Sequence, residues 1–259
     1  MSTKLQLLSV MTFMVAGLFT CTAAPKASNE MDTRPNVIVN FTECNASDDL
    51  LQEEIDDAYL LEEQSPTRRD IMVSETVQVW TMFYEDEMAP ADDPRRQYFQ
   101  EYAEYLADYI LMYENAPTDI GGQLPISKDT HVLLATMITK ESSVTADVVG
   151  KMGEVGLMQL HGVALAGYDP QVVRNNPKVG VMLGVRWFAY QASLCKPTRI
   201  PSDNDGWRLD DWLGPVSSYA GGPNAINKKT GKCYSFQLAR DRVALTRLYK
   251  TRLVSESLN

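Results

Sequence analysis

The chain has 259 residues, 44% of them hydrophobic and 22% charged, with a formal net charge of −10. That length holds one domain of ordinary size plus an extension, and the composition is that of a globular chain, not a disordered one. The negative charge argues against a nucleic-acid surface, which needs a basic stripe, and gives no long-range pull toward anionic lipid or an anionic cell wall.

Lys4 precedes a short apolar run over residues 5–20. The run is short for a membrane span and has the shape of a secretory h-region. Cleavage after Ala24 makes residues 1–24 a signal peptide. The rival reading makes Cys21 the lipidated first residue of a lipoprotein and hence an outer-membrane anchor; Leu18 suits that pattern, while Phe19 and Thr20 fit it poorly. Either reading places the chain in the periplasm or cell envelope. Residues 25–46 contain Pro25, Pro35, Asn29, Asn36 and Asn40 without helical periodicity and read as a linker.

Residues 47–124 read as a helical N-terminal region. Ser47-Asp48-Asp49 opens an acidic helix with Leu51, Ile55, Ala58 and Leu61 on one face. Apolar helical stretches follow over residues 71–88 and 95–113. The second carries Tyr98, Tyr102, Tyr105, Tyr109 and Tyr113, spaced at three and four. Such a stripe suits either sugar stacking or a half-buried helix face whose hydroxyls reach water, and the second reading is favoured.

The next helix carries the chemistry. Pro125 and Ser127 mark its start, with Ser127 expected as the N-cap, and it runs to Glu141-Ser142. Leu134, Met137 and Ile138 lie one or two turns before Glu141 on its own face. The carboxyl thus arrives on an apolar surface at the negative end of a helix dipole, and both effects favour its protonated form. A carboxylic acid still protonated near neutral pH is what cleavage of a glycosidic bond needs. Further on, Asn176-Pro177 is a strong helix start, and Gly214-Pro215 opens a short helix ending in the Gly221-Gly222-Pro223 turn. Phe236, Val243, Leu248 and Tyr249 give the last helix its expected apolar face. Few segments alternate at period two, so strands should be minor and the fold mainly α.

The chain has four cysteines. Export favours a Cys195–Cys233 disulfide over two buried thiols and leaves Cys44 unpaired. His131 and His161 are far apart, with no Cys/His ligand spacing, so neither a metal nor another cofactor is expected. No Gly-x-Ser-x-Gly elbow or phosphate-binding glycine loop is present. Asp147 and Glu154 are nearby carboxylates that could serve as a second acid or base, but read more simply as solvated loop charges.

With Glu141-Ser142 come two further motifs, Gly156-Leu157-Met158-Gln159-Leu160 and Tyr219-Ala220-Gly221-Gly222-Pro223. In this order they resemble the lytic transglycosylase family, whose SLT domain has a goose-type-lysozyme-like fold. The stretch from Asn176-Pro177 through Gly184-Val185-Arg186-Trp187-Phe188 resembles the helix that follows the second motif. The resemblance covers roughly residues 125–250 and implies a lysozyme-like SLT catalytic domain over residues 125–259. It implies Glu141 as the single catalytic residue and Ser142, Met158, Gln159 and Tyr219 as substrate-binding residues. The implied substrate is the peptidoglycan glycan strand, cleaved at the MurNAc-GlcNAc β-1,4 bond to give 1,6-anhydromuramoyl ends. The family pattern is broken where Ala220 replaces an asparagine and where Arg242 replaces a tyrosine of the cleft. These departures keep open a lysozyme-type hydrolase of the same fold, acting on native or modified (for instance deacetylated) peptidoglycan. A glycan-binding envelope protein without turnover is the third reading. The oligomeric state stays open.

Overall fold

The structure is a computed structural model that describes residues 66–195, 206–221, 225–227 and 233–256. The expected signal peptide, Cys21, Cys44, the linker over residues 25–46 and the acidic helix opening at Ser47 lie outside the described residues. All described residues fall within one compact unit, Asp56–Asn259.

Seven α-helices carry the described fold: α1 (Arg68–Asp86), α2 (Phe99–Asn115), α3 (Thr130–Ser142), α4 (Pro170–Asn175), α5 (Pro177–Leu194), α6 (Leu213–Gly221) and α7 (Gln237–Glu256). Isolated bridges join Val149 to Val155, Val155 to Leu160, and Ile226 to Cys233. No strand forms among the described residues, and none of their helices is long and apolar enough to cross a membrane.

Helix α3 is the axis of the packing. Residues Thr130 through Thr139 are all buried, so every side of this helix faces protein. Helix α1 lies on one side and α7 on another, while α2 packs on α1 and α5, and α6 bridges α5 to α7. Two α1 side chains fix α3 by hydrogen bonds to its backbone. The Trp80 indole donates to the Ala135 carbonyl at 3.1 Å, and the Tyr84 hydroxyl donates to the Ser143 carbonyl at 2.8 Å. The second bond grips the end that carries Glu141.

Local sequence explains most helix ends. Thr67 and Asp70 form a capping box on α1, satisfying two of the donors that a helix start leaves free. Asn176 caps α5 through its side chain, with Pro177 in the first turn, as the sequence implies. Ser127 does not cap α3. Asp129 holds the cap position without a side-chain bond, while the Ser127 hydroxyl donates to the Trp207 carbonyl and accepts from the Asp129 amide. A tertiary contact to a distant segment has taken the hydroxyl that the sequence assigns to a local cap. The face of α7 also differs from expectation. Val243 and Tyr249 are buried, but with Ala239, Thr246 and Leu253, while Phe236 precedes the helix and Leu248 faces solvent. The tyrosine stripe of α2 is a half-buried face: Tyr102 and Tyr113 are buried, and each stacks on a more exposed tyrosine one turn earlier.

Cys195, at the end of α5, and Cys233, just before α7, form a disulfide with Cα atoms 5.5 Å apart. Gly214 makes room for it: a Cβ there would lie 2.9 Å from the Cys233 Cβ and 3.3 Å from that of Cys195. The bridge closes a 38-residue separation that contains the whole of α6. Chain-entropy arguments give such a loop ~4 kcal/mol of stabilisation. Reduction should therefore lower the calorimetric melting temperature by about 10 °C for a domain of this size. An unchanged midpoint in reductant, with both thiols shown to be free, would contradict this assignment.

Candidate active site

Glu141 is the penultimate residue of α3 and its one acidic residue, placed where the helix leaves the packed interior. Its side chain is 22% exposed and meets Arg242 of α7, Nη2 to Oε1, at 3.0 Å; Arg242 is 13% exposed. The helix ends directly afterwards because Ser143 adopts the left-handed conformation, at φ 51°. Ser142 is buried and its hydroxyl donates to the Ile138 carbonyl at 3.1 Å, so its donor is already engaged within the helix.

Burial pushes the Glu141 carboxyl above its ordinary value. The Arg242 charge and hydrogen bond pull the other way without cancelling that effect, and the Glu154 charge adds to the push. Arg242 is shifted against its own charge as well, since burial lowers its pKa despite the attraction of Glu141. Each partner is thus desolvated by more than the other makes good.

The segment after α3 folds into a small braced loop. The amide of Gly150 donates to Glu154 O at 2.7 Å, and Val155 and Leu160 exchange two backbone bonds. Gly156 at φ 78° and Gln159 at φ 48° make the reversals; a left-handed backbone is natural for glycine and uncommon for glutamine. The Gln159 amide donates to the Gly156 carbonyl at 2.9 Å, which orients the side chain. Glu154 lies near Gln159, as both side chains crowd the place where a Gly150 Cβ would stand; the Gln159 Oε1 would be 2.6 Å from it.

Met158 is only 1% exposed, so its side chain supports the site from beneath. Its carbonyl accepts the Tyr219 hydroxyl at 2.7 Å, joining α6 to the loop. Tyr219 also meets the Phe188 ring edge-on at 5.9 Å. Burial, followed by the Glu141 charge, holds the Tyr219 phenol well above its ordinary value. The structure thus brings Glu141, Tyr219 and the loop of Met158 and Gln159 together, with Ser142 packed behind the acid. Ala220 is exposed beside Tyr219. His131 pairs with Glu75 at 2.6 Å, within the packing of α1 on α3. Sequence reasoning marked Arg242 as a departure but not as the ion-pair partner of the acid. It also missed Tyr84, whose bond to Ser143 spans 59 residues of sequence and leaves no local signal.

The family model of the Transglycosylase SLT domain matches residues 126–240. Over this segment the chain is similar to the SLT transglycosylase domain. Comparison with curated proteins and with solved structures finds no match. The SLT domain is a lysozyme-like, largely helical fold, in keeping with the described helices, and it points to lytic transglycosylase chemistry on peptidoglycan. Its matched segment holds Glu141, the braced loop and Tyr219; Arg242 lies just past its end.

Close packing ties the SLT motifs to α5. A Cβ on Gly184 would lie 2.8 Å from the Met158 Cβ and closer still to its sulfur. Gly184→Ala should displace Met158, disturb the Tyr219 bond and destabilise the protein by about 1–3 kcal/mol, the usual range for overpacking. Thermal denaturation measures this, and a variant as stable as the parent would show that the contact relaxes freely.

The carboxyl itself can be followed directly. The folded protein holds the Glu141 proton more tightly than the unfolded chain does. This contribution to stability is fully present below the unfolded pKa and is lost as pH rises through the raised folded value. A carbon-13 signal from the Glu141 carboxyl should titrate above the ordinary glutamate range, and Arg242→Met should move it higher still by removing the opposing cation. A midpoint that falls in the variant would mean that Arg242 does not stabilise the carboxylate.

Proposed function

We propose that this protein is an exported peptidoglycan lytic transglycosylase in which Glu141 is the one catalytic acid and base. The observation that carries the reading is the state of Glu141: a partly buried carboxyl at the end of a packed helix, with its pKa raised, beside the SLT loop and Tyr219. In the protonated form it donates to the glycosidic oxygen between MurNAc and GlcNAc, and the C1–O bond breaks. The acetamido group of the muramoyl sugar supports the positive centre at C1. The Glu141 carboxylate then takes the proton of the C6 hydroxyl, and that oxygen closes on C1 as a 1,6-anhydro ring. The proton given in the first step is recovered in the second, so no water is consumed. Gln159 and Tyr219 border the substrate in this reading, while Met158 and Ser142 hold them and the acid in place.

Export is supported by the Cys195–Cys233 disulfide, which persists in oxidising compartments and is rare in the cytosol. The short apolar run at residues 5–20 fits a periplasmic or envelope location. A hydrolase of the same fold is the second reading, favoured by Glu154, whose charge is felt at Glu141 and which could activate a water there.

Glu141→Gln is close to isosteric but cannot transfer the proton. It should reduce glycan release from purified sacculi by ~10²–10⁴, the usual worth of general acid-base catalysis. Mass spectrometry of the products separates the two readings: anhydro ends identify the transglycosylase, reducing ends the hydrolase. Release by the variant at the parent rate would remove Glu141 from the mechanism.

A further inference from the structure

Arg242 is not fully used by its contact with Glu141. A guanidinium carries five N–H donors in a planar fork and no acceptor. The contact engages Nη2, at 3.0 Å from Oε1. Nε is buried and has no hydrogen-bond partner. A buried donor left open is uncommon, and it leaves the guanidinium with an unspent donor that a shift of the side chain can turn to a ligand acceptor. The arginine is also well anchored: Val243 next to it is buried, and the Thr246 hydroxyl donates to the Arg242 carbonyl at 2.8 Å. The fork therefore stands on a fixed helix, aimed at the acid, with donors to spare. The acceptor that matches such a fork is a carboxylate.

We propose that Arg242 is a specificity-determining residue whose guanidinium is shared between Glu141 and a carboxylate of the glycan, so that an acidic substrate draws the cation off the acid. This inference rests on the peptidoglycan reading above. Muramic acid supplies the chemistry through its lactyl group, an anion when free and a neutral amide when it bears a stem peptide. Carboxylates of the stem peptide itself are the other source. The protein as a whole carries a formal net charge of −10 and repels such strands. Discrimination must then come from a cation inside the site, and Arg242 touches the acid. Once Arg242 has moved to the substrate, Glu141 takes a proton from solvent and is ready to donate it. A neutral strand leaves the ion pair closed.

The test compares kcat/KM of the full chain on glycan strands stripped of stem peptides, with lactyl carboxylates free, and on the same strands amidated with carbodiimide and ammonia. The parent protein should prefer the free acid by about tenfold or more, the worth of one charge-assisted hydrogen bond. Arg242→Gln should bring the ratio close to one, and Arg242→Lys, which keeps the charge, should retain part of it. Loss of structure alone would lower both rates and leave their ratio unchanged. Intact strands, with and without amidation of the peptide carboxylates, assign the source: a loss confined to the stripped strands means the lactyl group, and a loss confined to the intact strands means the peptide. In calorimetric titration with free-acid strands, Glu141→Gln should bind more tightly than the parent, because its arginine is released. A parent ratio of one on stripped and intact strands alike, a preference surviving in Arg242→Gln, or equal binding by parent and Glu141→Gln overturns the proposal. Absence of both release and binding by the parent on every strand sinks the peptidoglycan reading, and this inference with it.

Discussion

Helix α3 has no solvent side until its last turn, and the site follows from that constraint. A helix buried all round favours polar side chains that bond back to its own backbone, though the Thr130 hydroxyl has no partner. Thr136 and Thr139 bond back by donating to the Val132 and Thr136 carbonyls, and Ser142 by donating to that of Ile138. Glu141 is the carboxylate left at the exit. The chain must then turn sharply without losing the packing. It does so through two successive non-glycine residues in the left-handed region, Ser143 at φ 51° and Val144 at φ 56°. For a β-branched valine that conformation is an outlier, of the kind that costs on the order of 1–3 kcal/mol. Val144 is buried at the turn, and Tyr84 holds the Ser143 carbonyl. Packing from α1 thus offsets strain stored beside the acid.

The electrostatics of the pair follow from the same burial. A partly buried ion pair loses hydration on both sides, and its attraction returns little net stability. Here the balance is visible in both partners, since desolvation is the largest influence on Glu141 and on Arg242 alike. An exposed pair would hold its charges in water and a fully buried one would be locked by its cost of separation. Glu141 and Arg242 sit between these limits, where a modest change in surroundings decides whether the carboxyl is charged. General acid chemistry needs a group in that condition.

Much of this was legible in the sequence where the signal is local. The apolar run ending at Glu141, the Asn176-Pro177 start of α5 and the pairing of Cys195 with Cys233 rest on neighbouring residues or on counting. The loop motif around Gln159 was legible only through its resemblance to a family segment; the reversal its glycine makes, at φ 78°, is a feature of the structure. What stayed hidden depends on distant partners. Ser127 reads as a cap, but its hydroxyl is taken by Trp207, eighty residues on. Leu248 reads as core, yet the face of α7 that packs on α3 is set by Ala239, Val243, Thr246 and Leu253, two of them small or polar. The Met158 carbonyl, which fixes Tyr219, has no side-chain signature at all.

The supports of the acid come largely from outside the segment that matches the SLT domain. Trp80 and Tyr84 belong to α1, ahead of residue 126, and Arg242 belongs to α7, beyond residue 240. Within the matched segment lie the acid, the loop that borders it and the tyrosine that pins the loop. The matched segment therefore carries Glu141, while the flanking helices determine its burial, its angle of exit and its counter-charge. Burial sets how readily Glu141 holds a proton, and the counter-charge sets what can release it. Differences between one SLT domain and another in either property need not appear in the motifs, because the residues responsible stand on helices that the motifs do not include.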